Sequence, residues 1–114
     1  MRRSEERRLN ALEVDYAASL KAALERCAAG RWGLFGHNDR ALAGVGRRLR
    51  TRLSSPEVDE LLELGSRIDK LRSKLGYPEP FALHERLMRI RASSNANSVG
   101  EPKLARQWLD DMLA

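Results

Sequence analysis

The sequence predicts an all-α protein folded as one domain, a bundle of four to five helices, and three observations carry that prediction. Apolar residues recur at helical spacing over most of the chain. Caps and stop signals fall at the ends of those runs. No stretch alternates apolar and polar residues for long enough to make a strand. At 114 residues the chain is long enough for one core and short for two, since a domain near this size buries roughly two thirds of the surface its unfolded chain exposes. Hydrophobic residues make up 42% and charged residues 32%, globular usage that separates the chain from disordered proteins. Residues 1–114 read as a single helical domain, with fraying expected over 1–8.

In the first predicted helix Leu9, Leu12, Tyr16, Leu20, Ala23 and Cys27 form one stripe. Its spacing follows an 11-residue pattern close to the natural helical repeat, so the helix is straight and lies on a core. Ser4 is placed to cap it, Glu5 and Glu6 suit the positive end of the helix dipole, and Gly30 is placed to stop it. The next segment, Gly30-Arg31-Trp32-Gly33-Leu34-Phe35-Gly36-His37-Asn38-Asp39, punctuates large apolar side chains with glycines. It is predicted as an aromatic-glycine loop between helices one and two, whose Trp32, Leu34 and Phe35 close the core.

Asn38 or Asp39 then caps a second predicted helix with Leu42, Val45, Leu49 and Leu53 on one stripe. Gly44 and Gly46 each weaken it by about 1 kcal/mol relative to alanine. With Ala41 and Ala43 they let a neighbouring backbone come close. Ser54-Ser55-Pro56-Glu57 opens a third helix by combining a serine cap, a proline at the first helical position and an early carboxylate. Val58, Leu61, Leu64, Ile68, Leu71 and Leu75 line this helix, and Gly76 ends it. From Leu61 the spacing is heptad-like over about two heptads, which fits either an antiparallel hairpin or a dimer seam.

Tyr77-Pro78-Glu79-Pro80 breaks the chain rigidly, because each proline pushes its predecessor out of the helical region. A fourth helix runs from Phe81 to about Ala92. Leu83, Leu87 and Ile90 share one sector, Phe81 and Met88 another, and His84 with Arg91 lies on a strip between them. After the polar connection Ser93 to Gly100, a last helix from Pro102 to Leu113 carries Leu104, Trp108 and Met112 at i, i+4 and i+8.

The charge distribution bears most directly on function. The net charge is +5, and between residues 31 and 53 six basic residues stand against one acidic, so the whole excess sits in that stretch. Arg40, Arg47, Arg48, Arg50 and Arg52 fan across the face of the second helix away from its leucines. They are the candidate polyanion or ion-pair face, able to grip phosphates as a set. The competing reading, ranked first, has Glu57, Asp59, Glu60 and Glu63 neutralise them after the tight Ser54-Ser55 connection. The same carboxylates argue against a helix-turn-helix, whose recognition helix must bring its N-terminal residues past two phosphate rows.

A second candidate site is a loop or pocket built from Trp32, Phe35, His37, His84, Arg91, Asn95 and Asn97, since loops hold a disproportionate share of function. The plainer expectation is a hydrophobic plug, a structural histidine and a solvated connector. No pair has metal-ligand spacing such as His-x-x-x-His. Cys27 is the sole cysteine, lies on a core stripe and can form no disulfide within the chain. The serines sit in caps and loops without an adjacent base, so no nucleophile is activated. The residues compose no catalytic set, metal site or cofactor-binding site, and none is assigned. The charged N-terminal residues lack the apolar stretch of a signal peptide, and no window approaches the ~20 apolar residues of a membrane span. The expected location is the cytoplasm, with no membrane contact.

The Trp32 loop, the string Phe81-Ala82-Leu83-His84-Glu85-Arg86 and the string Gly100-Glu101-Pro102-Lys103-Leu104-Ala105-Arg106-Gln107-Trp108-Leu109 together resemble a family of small uncharacterised proteobacterial all-α proteins. The resemblance covers most of the chain after the first helix. It implies a bacterial cytoplasmic origin and transfers no activity, cofactor or site residue. The function expected from the residues is a non-catalytic helical interaction module that meets a protein partner or, as a homodimer, itself. Nucleic-acid or other polyanion binding through residues 40–52 is the alternative.

Overall fold

A computed structural model describes residues 2–29, 56–93 and 101–113. They fold as four helices, with no strand among the described residues, so the chain is all-α. We label them α1 (Arg2–Ala28), α2 (Pro56–Lys74), α3 (Ala82–Ser93) and α4 (Glu101–Leu113). The aromatic-glycine loop and the second predicted helix, with Trp32, Phe35, His37, Arg40, Arg47, Arg48, Arg50 and Arg52, lie outside the described residues, as do Asn95 and Asn97.

The long helix α1 organises the fold. Its predicted stripe is buried in full, and Leu24 joins it. The helix starts at Arg2, so Ser4 lies within the first turn and does not cap it. Arg2 has a different task there. Its guanidinium donates to Glu6 at 3.2 Å and to the Leu75 carbonyl at 3.0 Å, satisfying an oxygen at the end of α2 where the helix supplies fewer donors.

Three ion pairs set the direction of α2 against α1. Glu57 meets Arg26 at 3.1 Å, Arg72 meets Glu13 at 2.9 Å, and Lys74 meets Glu5 at 2.8 Å. The residue number falls along α1 as it rises along α2, so the pair is antiparallel. Val58, Leu61, Leu64, Ile68 and Leu75 are buried in the core that includes the α1 stripe, with Leu71 packed beside them. The heptad-like seam is therefore consumed inside the chain. Its partner is α1, and the second predicted helix, the neighbour with which it would form a hairpin, lies outside the described residues.

Pro56 opens α2 as predicted, since its missing N–H has no partner to lose in the first turn. At the other end Gly76 takes φ of +81°. The Tyr77 N–H donates to the Arg72 carbonyl at 3.0 Å and the Gly76 N–H to Ser73 at 3.1 Å, the paired bonds of a Schellman cap. Arg72 reinforces this turn from above. It donates to the Glu79 carbonyl at 3.0 Å and stacks on the Tyr77 ring, 5.3 Å from its centroid.

From that rigid turn the chain enters α3, which buries His84 and Leu87 and packs Leu83 and Ile90 against the core, as does Phe81 just before it. Met88 is exposed, so the second apolar sector expected for this helix is only half used. In α4, Ala105 and Trp108 are buried and Leu104, Leu109 and Met112 are partly so. Arg106 donates to the Ala28 carbonyl at 3.1 Å, which ties the middle of α4 to the end of α1. Arg86 of α3 lies 4.6 Å over the Trp108 ring and pairs with Asp111 at 3.2 Å.

Candidate functional site

Two features of the described residues go beyond ordinary packing. The first is a buried polar contact. Tyr16, in the middle of the α1 stripe, and His84, two residues into α3, share a hydrogen bond of 2.8 Å between the hydroxyl and Nδ1. Their rings meet edge to face, and Phe81 makes a second edge contact with Tyr16. The helix spacing that put Tyr16 among leucines forces its hydroxyl into the core, where it must find a partner. His84 is that partner.

Gly65 of α2 makes room for the imidazole. A Cβ at Gly65 would fall onto the His84 ring itself, so only glycine lets the two helices approach at this level. Burial drives both titrations toward the neutral forms. It lowers the His84 pKa below 6.5, with the Asp69 carboxylate opposing, and it raises the Tyr16 phenol far above 10, with Asp69 adding to the rise. Desolvation outweighs the charge in His84 because Asp69 is itself exposed and screened by water. The pair is neutral at pH 7.

Such a pair fastens three helices: Tyr16 of α1, His84 of α3 and the backbone of α2 at Gly65. The strip expected to join His84 with Arg91 is not one environment. His84 is 7% exposed, whereas Arg91 two turns later faces solvent. Of the seven residues in the candidate pocket, five lie outside the described residues, and the two described ones are not brought together. No group of three metal-ligating side chains forms among the described residues, and none of their helices is long and apolar enough to cross a membrane.

The second feature is a half-open hollow of about 260 Å³ between α1 and α4, lined by Ala17, Ala18, Lys21, Leu109 and Met112. It exists because α1 presents alanines where α4 presents longer side chains, and short residues cannot fill the groove. Val14, one turn earlier, is 68% exposed. A hollow this size accommodates a single large side chain and is below the roughly 300–1,000 Å³ of small-molecule pockets. Sequence reading passed over it, because alanine at a flank of a core stripe carries no signal until a neighbouring helix is in place.

Glu57, one of the four carboxylates expected to cover the arginine face, pairs with Arg26 of α1. Asp59, Glu60 and Glu63 are exposed. No family model, curated protein or solved structure matches the chain.

Proposed function

We propose that the protein is a non-catalytic helical interaction module whose docking face is the outer side of α1 with the hollow beside α4. The observation that carries this reading is Val14, a large apolar side chain 68% exposed on the central helix and one turn from an apolar hollow sized for one side chain. Exposed apolar residues scattered singly need no explanation, but a protrusion next to a matching recess is how helix-in-groove recognition is built. The test is photo-crosslinking in cells from a benzophenone side chain at Lys21, with Arg91 as an exposed control position. A discrete adduct that vanishes with Val14→Glu supports the module. Adducts as diffuse as those from Arg91 would eliminate it.

A second reading, polyanion binding through Arg40, Arg47, Arg48, Arg50 and Arg52, is favoured by the concentration of basic residues between 31 and 53 and by the exposure of Asp59, Glu60 and Glu63. It predicts retention on heparin with a steep salt dependence, lost when Arg47, Arg48, Arg50 and Arg52 become glutamine. Retention unchanged by that replacement removes it.

A further inference from the structure

The outward face of α1 has a rhythm different from that of its core face. Arg7, Ala11, Val14, Ala18, Lys21 and Glu25 are all exposed and recur at spacings of 4, 3, 4, 3 and 4. At about 100° per residue they fall on one side of the helix, opposite Leu9, Tyr16 and Leu20. The core stripe keeps an 11-residue pattern, while this one keeps heptad spacing, the repeat of a helix that meets another helix.

Its charges are placed with the same symmetry as its shapes. Arg7 and Glu25 stand at opposite ends, with Tyr16 midway between them. Neither has an ion-pair partner among the described residues. We propose, resting on the interaction-module reading, that the partner is a second copy of this chain, docked through an antiparallel pairing of α1 with its twin about a two-fold axis at the level of Tyr16. In that register Val14 stands opposite Ala18 of the partner subunit and enters the hollow beside it. Arg7 stands opposite the partner's Glu25, and the second ion pair follows from the symmetry. A parallel pairing would instead set Arg7 against Arg7 and Glu25 against Glu25.

The small side chains at Ala11 and Ala18 let the two helices approach closely, the stem of Lys21 lies over Ala11 of the partner subunit with its ammonium reaching solvent, and the knob of Val14 fits a recess that α4 completes. Asp15 lies on one flank, where it approaches its own counterpart. That like-charge contact is solvent-exposed and weakens the dimer slightly. Residues 7–25 span about 27 Å of helix, a contact short of the roughly 1,200 Å² of a standard interface. The association is accordingly weak, with a dissociation constant on the order of 10–100 μM.

The test is sedimentation equilibrium of the purified full chain from about 10 μM to 1 mM, a range chosen to bracket that constant. The mass is expected to rise from 12.9 kDa toward twice that value. Val14→Glu abolishes the rise, and Asp15→Asn tightens association by a few-fold. Arg7→Glu and Glu25→Arg each weaken it about ten-fold, and the double exchange restores it, which a loss of folding would not do. All four positions are exposed, and an unchanged helical circular dichroism spectrum shows that each variant folds. A monomer at 1 mM, or a dimer indifferent to both Val14→Glu and the charge exchange, overturns the proposal. The Lys21 crosslink separates the two ideas. An adduct of twice the chain mass supports self-pairing, and adducts with another protein from a strictly monomeric chain overturn it while leaving the module standing. The absence of any discrete adduct defeats both.

Discussion

Tyr16 and His84 stand 68 residues apart in sequence and 2.8 Å apart in the core, and each is the reason the other can be buried. A phenol hydroxyl sealed among leucines and an imidazole sealed against a helix backbone are each costly alone. Together they are satisfied. Because each satisfies the other, removing one leaves the other stranded.

Tyr16→Phe is therefore expected to destabilise the fold by about 1–3 kcal/mol, the cost of an unsatisfied buried polar group. His84→Leu removes the other partner at similar cost. The double variant should lose less than the two singles combined, because neither group is then left unpaired. Urea unfolding of the four proteins measures the coupling, and strict additivity would show that the contact contributes nothing.

Gly65→Ala sets two effects against each other. Alanine gains about 1 kcal/mol of helix propensity, but its methyl group falls on the His84 ring, and overpacking of this kind costs typically 1–3 kcal/mol. The ring is held by Tyr16 and cannot swing aside, so net destabilisation is expected. In a His84→Ala background the same substitution should become stabilising. A stabilised Gly65→Ala in the native background would refute the close approach.

Gly76→Ala isolates backbone strain. Nothing lies within 4 Å of a Cβ there, and the residue sits at φ of +81°. The loss is expected to be about 1 kcal/mol, carried by the left-handed conformation alone. Thermal unfolding with no change in the folded spectrum checks it.

Acid and alkali should each weaken the protein through the Tyr16–His84 pair. The folded-state pKa of His84 lies below its ordinary 6.5, so as pH falls through that value the unfolded chain takes up the proton first and stability is lost. Tyr16 is raised above 10, so as pH climbs through 10 the unfolded chain gives up its proton first and stability is lost again. Between these limits both groups are neutral in either state and the pair contributes fully. Thermal midpoints from pH 8 to 5 should fall less for His84→Gln than for the native chain. Identical slopes would count against the buried imidazole.

Arg72→Met should cost about 1–2 kcal/mol, since it removes a half-buried ion pair to Glu13, a bond to the Glu79 carbonyl and the stack on Tyr77. Lys74→Met should cost much less. Lys74 holds the Glu5 carboxyl below its usual range, but the lysine is 70% exposed, and solvent screens such a pair. Equal losses in the two variants would contradict this ranking.

The α1 stripe from Leu9 to Cys27, the Pro56 start and the Gly76 stop were legible because each rests on local rules of period and capping. His84 was legible only as a polar residue on a polar strip. Its burial depends on Tyr16, 68 positions away, and on a cavity that Gly65 makes, neither of which helix period reveals. The isolated glycine in the middle of a strong helical pattern was the available signal, since such a residue marks a close approach. Heptad spacing on α2 left hairpin and dimer seam equally open until α1 was seen to cover it. The arginine face of residues 40–52 and the aromatic-glycine loop fall outside the described residues.

The notch at Gly65 has a consequence for inheritance. Sliding α3 by one turn would bring Met88 or Pro80 to the place of His84, and neither offers a flat ring with a nitrogen for Tyr16. The three positions thus act as lock, key and latch. Divergent descendants of this chain should alter them in concert, a larger residue at 65 arriving only with a smaller one at 84 and a phenylalanine at 16.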